Sequence, residues 1–148
     1  MKLYHAVSVS LFLAFGVLQS GCETFCAKCY CDNVDAQNLV LNEPVQMKFG
    51  EVYCNPEYRI TIAFDSLYGD GRCPTGVWCV WEGNAQVHFA LNDKKEGASE
   101  FVLNTFDNFL TDTVIHGLRY ELVGLDPYPD IEVDYPQEVY IATVLISE

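Results

Sequence analysis

Ala85-Gln86-Val87-His88-Phe89-Ala90-Leu91 puts its large apolar side chains at alternate positions, with Gln86, His88 and Ala90 between them. A period of two belongs to an extended strand whose successive side chains point to opposite faces, one of them buried. The same period recurs on both sides. Val45, Met47 and Phe49 share one face. Ile60, Ile62 and Phe64 share another, with Arg59, Thr61 and Asp65 among the off-face positions. Phe101 to Phe106 follows, then Leu118, Tyr120 and Leu122 interleaved with Arg119, Glu121 and Val123. The final run, Glu138 to Ile146, is apolar on both faces, as a central strand requires. Gly, Asn, Asp and Pro punctuate the gaps at 68–71, 92–97 and 126–136, and Asn92 to Gly97 has the composition of a hairpin loop. No stretch carries the period of a long amphipathic helix, and no internal repeat is present. These features predict an all-β fold: one antiparallel, Ig-like β-sandwich of six to eight strands over residues 44–148, with a small β-barrel as the second choice.

Upstream of this body the chain changes character. Lys2 is followed by an uncharged, largely apolar run from Ala6 to Leu18, and Ser20-Gly21 lead directly into Cys22. Thirteen residues are too few to span a bilayer as a helix, which needs about 20. The segment resembles a bacterial lipoprotein signal, with Leu18 one step earlier than the pattern and Gln19 in the usual leucine place. The resemblance implies cleavage before Cys22 and attachment of acyl chains such as palmitate to that residue; ordinary secretion is the alternative. Residues 1–21 are then a signal peptide and residues 22–43 a Cys-rich tether. Its one apolar patch, Leu39-Val40-Leu41, is expected to lie on the body as a short strand. Cleavage leaves 7 Lys and Arg against 21 Asp and Glu, a net charge of −14. Such a surface repels nucleic acid and anionic headgroups, so membrane attachment falls to the acyl chains.

Seven cysteines become an even six once Cys22 is assigned to lipid, as suits an exported chain with disulfides. Cys73 and Cys79 flank Pro74 and Gly76, and a bridge between them closes a small loop worth about 2 kcal/mol by loop entropy. Cys26, Cys29 and Cys31 fall within six residues. With Cys54 they form either disulfides, one of them tying the tether to Cys54, or a four-thiolate site for zinc or another soft metal. Cys26-Ala27-Lys28-Cys29 also has redox spacing, without the strand-to-helix setting of such motifs.

The stretch from Asp70 to Ala85 resembles a motif, Asp-Ser-Arg-Cys-Pro then Val-x-Cys-x-Trp-x-Gly-Asn-Ala, of small uncharacterised bacterial envelope proteins, many of them lipoproteins. Asp70, Arg72, Cys73, Pro74, Val77, Cys79, Trp81, Gly83, Asn84 and Ala85 match; Gly71 replaces the serine. Leu125-Asp126-Pro127-Tyr128-Pro129 is also similar. The resemblance spans roughly residues 45–148 and implies a β-rich extracytoplasmic domain, with no activity attached.

The usual catalytic signatures are absent. His88 and His116 sit in no His-Glu-x-x-His, the mature serines (Ser66, Ser99, Ser147) in no Gly-x-Ser-x-Gly, and no phosphate loop exists. His88 occupies an outward strand position and is expected to be solvated. Asp126, Asp130, Glu132 and Asp134 crowd one loop and offer oxygen ligands to calcium, in a spacing that matches no EF-hand. Two loops hold more aromatic and charged groups than a connection needs: 68–81 with Arg72, Trp78 and Trp81, and 126–137 with Tyr128 and Tyr135. Either they meet at one end as a binding patch, or Trp81 plugs the sandwich and Arg72 pairs with Asp70. The expected protein is a lipid-anchored, non-enzymatic module of the bacterial envelope, facing the periplasm or the cell exterior. It binds or scaffolds an envelope protein or glycan. A thiol-based metal or redox protein is the alternative, and a hydrolase the third.

Overall fold

The alternating runs pair into two sheets whose apolar faces meet, and the sheets are not closed into a barrel. The computed structural model describes residues 27–32 and 34–148. The signal stretch, Cys22, Cys26 and the side chain of Cys29 lie outside the described residues. In chain order come a short helix α1 (Ala27–Asp32), β1 (Ala36–Asn38), β2 (Pro44–Lys48), β3 (Val52–Asn55), β4 (Ile60–Asp70), β5 (Ala85–Asp93), β6 (Gly97–Asn104), β7 (Asp112–Ile115), β8 (Leu118–Asp126) and β9 (Ile141–Ser147). One sheet has the order β1-β3-β4-β5-β6 and the other β2-β9-β8-β7.

The antiparallel β-sandwich expected from the alternation is therefore the fold: residues 44–148 carry eight strands, β2 to β9, all paired antiparallel and within the expected six to eight. Among the described residues one more strand, β1, comes from the stretch read as tether and lies parallel to β3. The strands that the alternation did not mark, β1, β3 and β7, are three or four residues long, too short for a period to show. The hairpin at Asn92 to Gly97 joins β5 to β6, with Asp93 paired to Gly97. β9 is central in its sheet, between β2 and β8, although a 3₁₀ turn (Gln137–Val139) takes the first part of the run. β6 stops at Asn104, short of Phe106.

Cys31 and residues 34–43 also attach to the body rather than forming a free tether. Ala36–Asn38 forms the edge strand, slightly upstream of the apolar patch. Leu39 is 1 % exposed within the core. Its amide donates to the Cys54 carbonyl (2.9 Å), and its carbonyl accepts from Asn55 Nδ2 (2.9 Å). Cys31 is bonded to Cys54. The β1–β3 ladder, the bonds of Leu39, the Asn42 amide donating to the Ile146 carbonyl (2.7 Å), the side chains of Leu39 and Leu41 and a disulfide hold this segment, which its polar composition conceals.

The core is built from the predicted inward positions: Met47, Ile60, Ile62, Phe64, Ala85, Val87, Phe89, Leu91, Leu118, Tyr120 and Leu122 are all buried. Phe64 and Phe89 are fully enclosed, and truncating such a ring costs about 3–5 kcal/mol. Strand direction then defines two ends. Asn55, Ile60, Asp93 and the turn at His116–Gly117 lie at one, Asp70, Ala85, Asn104 and Asp126 at the other. Cys54 pairs with Thr61 near the first end. From Thr61 to Asp70 β4 runs the length of the sandwich, about 30 Å at strand rise.

Because the Cys31–Cys54 bridge closes a loop with a sequence separation of 23 residues, Cys31→Ser is expected to cost about 3 kcal/mol. Thermal melts followed by circular dichroism should show a Tm lower by roughly 10 °C. An unchanged Tm would mean the bridge constrains nothing.

Candidate functional site

The loop after β4 begins as a narrow stem. The Gly71 amide donates to the Asn84 carbonyl (2.8 Å) and the Cys73 amide to the Glu82 carbonyl (2.8 Å). The two sides approach so closely that a Cβ on Gly83 would sit 2.0 Å from the Gly71 oxygen, and Gly83 holds φ +78°. Only glycine fits there. Above the stem Cys73 is bonded to Cys79, as the spacing predicted.

A buried ion pair fixes this loop to its neighbour. Arg72 Nε and Nη2 donate to the two Asp70 oxygens (2.8 and 2.6 Å), a bidentate geometry in which both side chains are less than a tenth exposed. The same guanidinium donates from Nη1 to the Leu125 carbonyl (2.6 Å) and from Nη2 to the Pro127 carbonyl (2.8 Å). Its carbon lies 4.8 Å from the centre of the Tyr128 ring. The Tyr140 hydroxyl also donates to Asp70 (3.2 Å); burial foremost, and then the Asp70 charge, raises its pKa. A second tie joins Thr75 to Asp130: hydroxyl to carboxylate at 2.7 Å, and the Thr75 amide to the Pro129 carbonyl at 2.9 Å. The Thr75 bond, more than the Glu132 amide, lowers the pKa of Asp130. Asn84 gathers the third loop, 105–111, by accepting from the amides of Thr105 (3.1 Å) and Phe106 (3.2 Å).

The framework holds apolar groups out in water. Trp78 and Val80 are 102 % and 105 % exposed, Trp81 56 % and Tyr128 48 %. Among the described residues, ten of the fifteen exposed large hydrophobics lie on loops 71–84, 105–111 and 127–140. Pro74, Val77, Trp78, Val80, Trp81 and Tyr128 line an open hollow of about 540 Å³. Glu82 and Tyr128 also line a neighbouring one of about 330 Å³, which extends past Phe106 to Leu125 and Asp126. Trp81 meets Phe106 edge-on at 5.8 Å, and Phe106 meets Phe109 at 6.1 Å. Phe106, Phe109 and Leu110 were not anticipated. Their signal was the Asp107-Asn108 turn directly after Phe101 to Phe106, the run read as strand.

Of the expected patch, Trp78, Trp81 and Tyr128 come together, and the two loops share one end. Tyr135 does not join them. It is half-buried, edge-on to Tyr140 at 6.4 Å, and lines a separate hollow with Leu67 and Asp134. Arg72 is buried at the edge of the smaller hollow with four hydrogen bonds already made by its guanidinium, so it supports Tyr128 more than it offers charge to a ligand. Trp81 does not plug the sandwich. Cys31 and Cys54 are bonded to each other, which removes both from a four-thiolate set. Among the described residues no three His, Cys, Asp or Glu side chains converge to hold a metal ion. Asp130 of the acidic loop is engaged by Thr75. His88 is 7 % exposed instead of solvated. A bulge between Phe64 and Ser66 turns Asp65 onto its Nδ1, Tyr68 lies over the ring at 5.3 Å, and Glu100 approaches Nε2 at 3.7 Å. Comparison with protein-family models, curated proteins and solved structures returns no match.

Arg72→Ala would leave Asp70 buried without its partner, a loss of about 3–5 kcal/mol. A urea melt should show the shift in midpoint, and Asp70→Asn/Arg72→Met should recover part of it. Equal midpoints for wild type and Arg72→Ala would mean the pair does not hold the loops.

Proposed function

We propose that this protein is a lipid-anchored, non-enzymatic component of the bacterial envelope that binds a partner through the aromatic end of its sandwich. The observation that carries this is the full exposure of Trp78 and Val80 on a loop held by a disulfide, a glycine stem and a buried ion pair. Exposed apolar patches of this kind mark interaction sites, and a preorganised one loses little entropy on binding. The lipoprotein-like signal and the envelope-protein motif at 70–85 support the location.

The arrangement of the bridges supports a direction of display. Cys22 is nine residues from Cys31, a reach of at most about 30 Å. Cys31 is bonded to Cys54 at the end opposite the aromatic loops. Acyl chains on Cys22 thus place that end towards the membrane and present the aromatic end away from it.

The anchor and the surface are tested separately. Cys22→Ser should abolish labelling by an alkyne fatty acid and release the protein from membranes; labelling that persists in the variant removes the anchor from the proposal. For the surface, a photo-crosslinking residue at Val80 in growing cells should yield discrete adducts that Trp78→Ala suppresses, while the same group at Val114 yields none. Since Trp78 is fully exposed, its removal should move the Tm by no more than about 2 °C. No adduct at position 80, or equal adducts at both positions, would overturn the binding role.

A further inference from the structure

We infer that the occupant of the aromatic end is a cationic protein segment, one carrying several Lys or Arg side chains. This rests on the binding role proposed above and adds the chemistry of the partner. The three loops that form this end contain six carboxylates, Glu82, Asp107, Asp130, Glu132, Asp134 and Glu138, against a single base, Arg72. Arg72 offers no exposed positive charge, because it is buried against Asp70 and two carbonyls. At the other end Arg59, Lys94 and Lys95 offset three of the five carboxylates Glu43, Glu57, Asp93, Glu96 and Glu148, the last of them beside Tyr58. The negative potential is therefore concentrated where the indoles are.

The two features coincide within the groove itself. Exposed Glu82 borders both hollows, and exposed Asp126 borders the one beside Tyr128. Indole and phenol faces attract ammonium and guanidinium groups, Arg above all, and the aliphatic stems of those side chains cover apolar surface. A neutral glycan would stack on the rings and could donate hydroxyls to single carboxylates, but would gain nothing from their summed negative charge; an acidic partner would be repelled. A basic segment satisfies both at once, and the field would also speed its encounter.

The chain has only two tryptophans, Trp78 and Trp81, so its indole emission reports on this loop alone. The mature protein is titrated with capped hexa-arginine, with hexa-glutamate and maltohexaose as comparisons. Hexa-arginine should quench or shift the emission saturably, and more weakly as salt rises from about 0.05 to 0.3 M. Glu82→Gln should weaken the apparent Kd about two- to fivefold. Trp78→Ala, read through Trp81, should weaken it roughly threefold or more. Glu96→Gln removes the same charge at the opposite end and should leave the Kd unchanged. Equal effects of Glu82→Gln and Glu96→Gln would reduce the response to general attraction and overturn the inference. So would a Trp78-dependent response to maltohexaose with none to hexa-arginine, which leaves the binding role intact. Loss of the position-80 adducts is the separate result that would remove the binding role itself.

Discussion

Asp70 and Arg72 stand two residues apart, yet their buried ion pair organises three segments distant in sequence. Removing two charges from water is costly, and the attraction between them offsets that cost only with good geometry and further hydrogen bonds. Both conditions are met. The carboxylate accepts from the Arg72 side chain and amide and from Tyr140, while the guanidinium donates to it and to the carbonyls of Leu125 and Pro127. The partners lie on three parts of the chain, Asp70 at the end of β4, Leu125 and Pro127 at the end of β8, and Tyr140 just before β9, so the pair has a low-energy state only when all three are in place. An apolar replacement would pack without that directional requirement. The pair therefore specifies the relative position of the loops more than it adds to stability.

Much of this follows from how far each interaction reaches. The runs at Ile60–Phe64, Ala85–Leu91 and Leu118–Leu122 were legible because a strand with one buried face writes its period locally. β3 was not, since Tyr53, Cys54 and Asn55 are buried on both sides: Tyr53 faces the core, while Cys54 and Asn55 are covered by the Cys31 bridge and the segment at Leu39. His88 was misread for a related reason. Its outward position is set by the local period, but its burial depends on a bulge in the neighbouring strand and on Tyr68 and Glu100. The Asp70–Arg72 contact was legible from proximity; the two carbonyls that bury it, more than fifty residues away, were not.

The aromatic loops illustrate the limit most sharply. Composition marked Trp78, Trp81, Tyr128 and Tyr135 alike, because a ring in a loop carries no information about which way it faces. Tyr135 packs inward against Tyr140 while Trp78 stands in water, and the difference comes from the backbone beneath them. Residues 73–79 are closed into a ring by their disulfide, and such a small ring has no room to fold a large side chain over itself. Gly83, having no Cβ, lets the two sides of the stem close into hydrogen bonds beneath the ring, and Trp78 within the ring is fully exposed.

That rigidity bears on what the surface can do. A flexible loop with the same composition would collapse its tryptophans onto the nearest apolar atoms, and any partner would first have to pull them out. Here the disulfide, the stem and the Thr75–Asp130 tie accompany a Trp78 that stands fully in water and a Trp81 that touches Phe106 by its edge and stays exposed. The apolar area stays wet in the free protein and is released from water only on contact. Large rings with few rotatable bonds lose little side-chain entropy in that step. The surrounding carboxylates serve a second purpose on such a surface: like charge on every copy opposes self-association of the exposed indoles. An apolar patch bordered by carboxylates would thus oppose its own kind and, under the proposal of a cationic partner, draw the opposite sign, so that both effects would follow from the same residues.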